Sequence, residues 1–315
     1  MKNDNYNVWE TTYASAYNKN IPPQNQVKTK NKATPKSVQL INNKYGELES
    51  PNDAEAYYIQ RAKAVKQYAY LEFQNPEYHS KMEDKGKSID CFSGFSQALF
   101  CLYDGHNDDK VSTYLQNTLH NEFRILLKQT NNNFTKEQIN QLFSKIDLKF
   151  KEDKDFLESG STACIVYISD GGIFCFNVGD TRCSIFNIKT KKYERISIDD
   201  RVSNKNEEER VKKAGGLIIN NRVCGNIMLT RSFGDSYFKE YGLICKPHMN
   251  SIIREPGQIL VIASDGIWDV LEEKNINEII NQNKSLNLME INEKILNEAA
   301  NKNSIDNMSI FIIEL

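Results

Sequence analysis

The stretch Ala98-Leu99-Phe100-Cys101-Leu102-Tyr103-Asp104-Gly105-His106 constrains this chain most. The apolar run reads as a buried strand. It stops abruptly at an acid, so a carboxylate is delivered to the end of a sheet. The glycine lets the backbone turn or come close to a ligand, and the histidine can titrate near neutral pH. Three more acids arrive beside apolar runs: Asp84, Asp265 and Asp306.

The rest of the composition suits an enzyme-sized globule. With 26% charged and 39% hydrophobic residues, most of the 315-residue chain should fold as a soluble unit. A net charge of -2 gives no reason to expect nucleic acid or an anionic membrane as partner. No apolar run approaches the ~20 residues of a membrane span. The N-terminus shows neither a signal pattern nor a myristoylation motif. The 7 cysteines are scattered singly, which argues for reduced thiols in an intracellular protein, cytoplasmic or nuclear, over a disulfide framework.

Residues 1–50 are rich in Asn, Lys, Gln and Pro and read as a flexible polar tail. Its Tyr6, Trp9, Tyr13 and Tyr17 are candidates for docking on the domain. Residues 51–315 then form one domain. A helix is expected from Ala54 to Tyr68, followed by a strand through Phe73. Helices are expected over 110–128 and from Thr135 to about Leu157, the second opened by a Thr135/Gln138 capping box. Asp170-Gly171-Gly172 and Gly179-Asp180-Thr181-Arg182 are tight turns between strands, which gives an antiparallel meander and not a βαβ pattern. A charged helix over 204–214, a hairpin at Asn220-Asn221, irregular chain over 226–242, a strand to Ala263, two helices near 273–283 and 287–301, and a last strand from Met308 complete the reading.

Convergent carboxylates without His or Cys suit a hard cation such as Mg²⁺ or Mn²⁺. Asp-Gly at a strand end is also an ordinary turn, and spacing alone leaves both readings open.

The motifs in order decide between them. They are Met82-Glu83-Asp84; Leu102-Tyr103-Asp104-Gly105-His106; Gly160-Ser161-Thr162-Ala163; Asn177-Val178-Gly179-Asp180-Thr181-Arg182; Ala214-Gly215-Gly216; Leu229-Thr230-Arg231-Ser232-Phe233-Gly234-Asp235; Ala263-Ser264-Asp265-Gly266-Ile267-Trp268-Asp269; and Asp306-Asn307-Met308-Ser309. Together they resemble the metal-dependent type 2C serine/threonine protein phosphatase family, over roughly residues 68–315. The resemblance implies an α+β fold, a four-layer α/β/β/α sandwich of two antiparallel sheets flanked by helices. It implies two Mg²⁺ or Mn²⁺ ions held by Asp84, Asp104, Asp265 and Asp306, with the Gly105 carbonyl and, through water, Glu83. It also implies a weaker third ion at Asp180, Asp269 and Asp265. A metal-bridging water would attack phosphoserine or phosphothreonine of a phosphoprotein directly, and His106 would protonate the leaving alkoxide. Family members are often monomers.

Three departures stand out. His79 occupies the place of an arginine that usually clamps phosphate, and Lys81 is a candidate substitute. Asn107-Asp108 follows His106 where the family favours glycine. Asp199-Asp200-Arg201-Val202 stands where Asp-His-Lys-Pro is common. The first two support an alternative, a weak or inactive phosphatase-like module that binds phosphoproteins or partners, and the third bears on substrate choice. Arg231 and Asp235, four apart, are expected to form a local structural ion pair.

Overall fold

The computed structural model describes residues 64–315 except Phe95 and Gly171. The expected tail at 1–50 and helix positions 54–63 lie outside the described residues. In chain order the strands are β1 (Gln67–Phe73), β2 (Lys85–Asp90), β3 (Ala98–Tyr103), β4 (Gly105–His106), β5 (Gly160–Ser161), β6 (Ala163–Ile168), β7 (Gly172–Val178), β8 (Arg182–Asn187), β9 (Tyr193–Arg195), β10 (Ile218–Ile219), β11 (Arg222–Val223), β12 (Phe233–Gly234), β13 (His248–Ile253), β14 (Gln258–Ala263) and β15 (Met308–Glu314). The α-helices are α1 (Lys110–Thr130), α2 (Lys136–Glu152), α3 (Lys205–Lys213), the single turn α4 (Asp265–Trp268), α5 (Glu273–Gln282) and α6 (Leu288–Asn301).

Two antiparallel five-stranded sheets form the centre, ordered β1-β15-β14-β8-β9 and β13-β7-β6-β3-β2. The sequence of β3 explains why they stack. Every residue of it is buried, because both its faces are covered. Phe100 and Leu102 pack between the sheets with Tyr70, Val166, Ile262 and Phe311. Leu99, Cys101 and Tyr103 pack outward with Leu115 and Phe123 of α1 and Phe143 of α2. The period of two along a strand sorts one apolar run into two cores. The other sheet repeats this: Phe311 and Ile313 face inward, while Ile310 and Ile312 meet Ile276, Ile295 and Leu296 of α5 and α6. The result is the α/β/β/α sandwich the resemblance implies.

The strand pairing carries the chain ends that matter to one place. Asp104 follows β3, Asp265 follows β14 and Asp306 precedes β15. β14 and β15 are direct neighbours, with Ala263 opposite Ile310. A small third sheet, β12-β5-β4, lies across this end and pairs Gly105 with Ser161 and Phe233 with Ser161.

Several boundaries differ from the expectation. Residues 67 and 68, expected at the end of a helix, are in β1, where Gln67 and Tyr68 pair with Glu314 and Ile313. Helix α2 stops at Glu152 and not near Leu157, because Asp153 takes extended backbone and its side chain accepts from Asp155 N to cap a separate 3₁₀ turn. The region 226–242 is not wholly irregular: it holds β12 and a 3₁₀ turn, Ser236–Tyr241. The capping box is formed as expected, with Gln138 N donating to Thr135 Oγ1 and Thr135 N to Gln138 Oε1.

The lobe after β9 is small in apolar content, its core reduced to Val202, Val211 and Val223 with partly buried neighbours. A buried ionic knot supports it. Glu207, in the first turn of α3, accepts from Arg231 through both oxygens (2.5 and 3.0 Å), from Arg210 and from the Thr230 hydroxyl. Arg231 also reaches Asp200 at 3.2 Å. The expected local pair of Arg231 with Asp235 is therefore replaced by longer-range partners. Burial alone would raise the Glu207 carboxyl, but the bonds from Arg231 and Arg210 outweigh it and hold the group at about 2.

Replacing Glu207 by Ala takes from the buried Arg231 guanidinium its two-oxygen partner and leaves it only Asp200 and the Lys246 carbonyl, so a loss of about 3 kcal/mol in urea unfolding is expected. Because the folded pKa lies below the ordinary glutamate value of about 4.3, the knot stabilises at neutral pH and its contribution fades as pH falls from about 4 towards 2. The variant's deficit should shrink over that window. An unchanged unfolding midpoint would remove the knot's structural role.

Candidate metal centre and proton donor

Asp104 is fixed by its own strand and by Thr162. The Asp104 N–H donates to Thr162 Oγ1 (3.1 Å), and Thr162 N–H donates to the Asp104 carbonyl (2.9 Å). Thr162 in turn meets the Thr181 hydroxyl at 2.6 Å, beside Asp180. This is the use of the Gly-Ser-Thr-Ala segment: it aligns two acid-bearing turns. Gly105 is required by space. A Cβ there would lie 2.7 Å from both the Glu83 carbonyl and Ser112 Oγ, and the Ser112 hydroxyl donates to that same carbonyl at 2.6 Å.

Asp306 and Glu83 are tied together by Asn307. Its Oδ1 accepts from the Glu83 N–H (2.7 Å), and its Nδ2 donates to the carbonyls of Gln74 (2.7 Å) and Lys81 (3.2 Å). Asn307 thus stitches the loop after β1 to the start of β15, a positioning role that its place in the motif alone did not reveal. Asp84 lies beneath, 1% exposed.

The acids converge. Asp104, Asp180 and Asp265 each offer an oxygen within 4.8 Å of the others. Glu83, Gly105, His106, Asp306 and His79 line the same cleft. Burial, followed by the charges of Asp84 and Asp265, pushes the Asp104 carboxyl well above the ordinary range. Burial, then Asp180 and Asp306, does the same to Asp265. Asp84 is driven up to about 7 by burial, with Asp306 adding to it and the nearby Ser264 and Ser309 side chains opposing it, and its Oδ2 is buried with no hydrogen-bond partner. Buried carboxylates that repel one another, one of them with an oxygen that has no donor, fit a hard divalent cation. Lys81 is exposed and is not among the residues lining the cleft, whereas His79 is; His79 Nε2 lies 3.1 Å from Asp306 Oδ1.

A second cluster, Asp200, Glu207 and His248, also has metal-like spacing. It is already filled, since Arg231 pairs with both acids and His248 Nε2 with Asp200 at 2.7 Å.

Two partners were not legible from spacing. Asp180, Asp265 and Asp269 all contact Arg201. Asp235 meets His106: its Oδ2 lies 2.8 Å from His106 Nε2 and accepts from Ser232 Oγ at 2.5 Å. Asp235 itself sits at φ 50°, after Gly234, whose N–H donates to Asp147 (2.9 Å). Burial alone would lower the His106 pKa, but the Asp235 carboxylate, followed by Asp180 and Glu83, raises it above the ordinary value. Asn107 explains the missing glycine. It holds φ 67°, a left-handed conformation that Asn tolerates best among side-chain-bearing residues, and its Nδ2 donates to the Glu158 carbonyl.

Removing the Asp235 charge should therefore lower the His106 pKa. NMR titration of the imidazole in Asp235→Asn is expected to show this fall, and an unmoved titration would detach Asp235 from His106.

A sequence profile described as Protein phosphatase 2C matches residues 68–308. A Caenorhabditis elegans protein named as a probable protein phosphatase 2C is 31% identical over 198 residues, 59% of this chain and 54% of that protein. An Oryza sativa subsp. japonica protein, named as a probable mitochondrial member, is 30% identical over 229 residues, covering 70% of this chain and 61% of its own length. The chain thus spans little more than half the length of these two curated relatives. Among solved structures, a phosphatase from a pathogenic strain of Toxoplasma gondii superposes with a TM-score of 0.69 at 18% identity, covering 79% of this chain and 92% of that one. At that identity the likeness speaks for the fold.

Proposed function

Because the chain belongs to the protein phosphatase 2C family, we propose that it hydrolyses phosphoserine and phosphothreonine in proteins, using two Mg²⁺ or Mn²⁺ ions. The observation that carries this reading is the gathering of Asp104, Asp180 and Asp265 at one end of the sandwich, with Asp306 lining the same cleft and Asp84 buried beside them, more carboxylates than Arg201 and His79 between them can offset. Asp84, Asp104, Asp265 and Asp306, with the Gly105 carbonyl and with Glu83 through water, would hold the ions. Bound there, the cations would acidify a water for in-line attack on phosphorus and offset the phosphoryl charge.

The chain's own residues do the rest. The cleft is open and about 1320 Å³, beyond the roughly 300–1,000 Å³ of a small-ligand pocket, which suits a segment of another protein. His106 lines it, and Asp235 favours its protonated form. Its Nε2–H is engaged by that carboxylate, so the Nδ1 proton is the transferable one, available to a serine or threonine oxygen as the ester breaks. His79 offers a single donor where a guanidinium would fork onto two phosphate oxygens, and it is shared with Asp306. The binding-module alternative loses one of its supports, since Asn107 adopts the conformation a glycine would.

Phosphate release from a phosphothreonine peptide in Mn²⁺ tests the reading. Asp104→Ala should reduce release to the blank. His106→Ala should lower kcat by about 10²–10⁴-fold while Mn²⁺ binding persists. His79→Arg should lower KM with kcat little changed. No Mn²⁺-dependent release by the wild-type chain would overturn the reading, and an unmoved KM in His79→Arg would overturn the role of that position.

A further inference from the structure

We propose that Arg201 stands in for the third metal ion: its guanidinium binds Asp180, Asp265 and Asp269 together and leaves a centre of two ions. The inference rests on the phosphatase reading and deepens it. Three different nitrogens take three different carboxylates. Nε meets Asp180 Oδ2 at 2.5 Å, Nη2 meets Asp265 Oδ2 at 2.9 Å, and Nη1 meets Asp269 Oδ1 at 2.7 Å. These are the acids that would otherwise ligate a weak third ion. A planar, delocalised cation with forked donors matches such a set, and it stays charged at any working pH.

The arginine is delivered by a fixed backbone. Its neighbour Asp200 is fully buried and accepts from the Gly179 N–H (3.0 Å), at the turn that carries Asp180. Asp200 N–H donates to the Gly179 carbonyl (3.0 Å), and Val202 N–H to the Met228 carbonyl (3.0 Å). His248 and Arg231 hold the Asp200 carboxylate from the far side. The sequence Asp199-Asp200-Arg201-Val202 is thereby accounted for: Asp200 locks the loop to the Asp180 turn, and Arg201 then points at the acids. A divalent ion would need to evict a cation that makes three charge-assisted bonds from a partly buried seat. With Oδ2 of Asp265 engaged by Arg201, its other oxygen remains for the two-ion centre.

Equilibrium dialysis of the full chain against Mn²⁺ up to millimolar concentration tests this, with thermal melts as the fold check. Wild type should bind two ions. Arg201→Ala and Arg201→Met, the latter keeping an apolar stem of similar length, should each bind a third. Adding Asp269→Ala to either variant should return the count to two. Three ions on the wild type would overturn the proposal and leave the phosphatase reading intact, as would two ions on both folded single variants. Fewer than two ions on the wild type would overturn the reading and the proposal together.

Discussion

Asp104, Asp180 and Asp265 hold oxygens within 4.8 Å of one another, and each ionised pair at that separation repels by about 3.5 kcal/mol at an effective dielectric of about 20. Left to themselves these side chains would move apart or stay protonated. They stay together because each is mounted on a rigid strand end or tight turn, backed by a core on both faces of both sheets, and because Arg201 bridges Asp180 and Asp265, which leaves Asp104 as the acid without a cationic partner in this trio. The apolar run of β3 and its register against β6 and β2 set where Asp104 emerges. The pairing of β14 with β15 sets Asp265 beside Asp306. A sheet sandwich with apolar residues on both strand faces can bear that local repulsion, and functional sites are where a fold departs from its own rules.

The same logic extends to the lobe after β9. Its few apolar side chains could not fix a loop by packing alone, and buried charge does so instead. Asp200, Glu207, Arg210, Arg231 and His248 form a network around two short turns. That network presents Arg201 to one side of the acid cluster, while the turn at Gly234-Asp235 presents a carboxylate to His106 on the other. Gly160 leaves room for the second contact: a Cβ there would fall 2.2 Å from His106 Nε2 and 2.3 Å from Asp235 Oδ2. The acid cluster and the His106–Asp235 pair are thus positioned by one connected set of strand ends and turns.

Much of this was readable from residue order. Runs such as Ala98–Tyr103 and Gln258–Ala263 announce buried strands, and the acids that close them announce where the strands end. Turn chemistry at Asp170 and Asn220-Asn221, and the Thr135/Gln138 box, located elements from local physics alone. What sequence spacing could not supply were contacts between residues far apart in the chain. His106 and Asp235 are 129 positions apart, and Arg201 lies 64 positions from Asp265. Local spacing even misled: Arg231 stands four residues from Asp235, yet the left-handed backbone at 234–235 turns that carboxylate towards His106, and Arg231 finds Glu207. The end of α2 was overrun because Lys154–Phe156 continues the helical composition while Asp153 breaks the backbone geometry.

The most direct test of the central claim is the melting temperature of chelator-treated protein with and without Mn²⁺. If clustered carboxylates are held against their repulsion for a divalent ion, Mn²⁺ at about 100 times its dissociation constant adds about 2.7 kcal/mol. The melting point should then rise by roughly 5 °C or more. Metal-free Asp104→Asn, relieved of one charge, should melt above metal-free wild type and respond weakly to Mn²⁺. A wild-type melting point indifferent to Mn²⁺, together with an Asn variant no more stable than wild type, would contradict the claim that this repulsion and its relief by a cation organise the site.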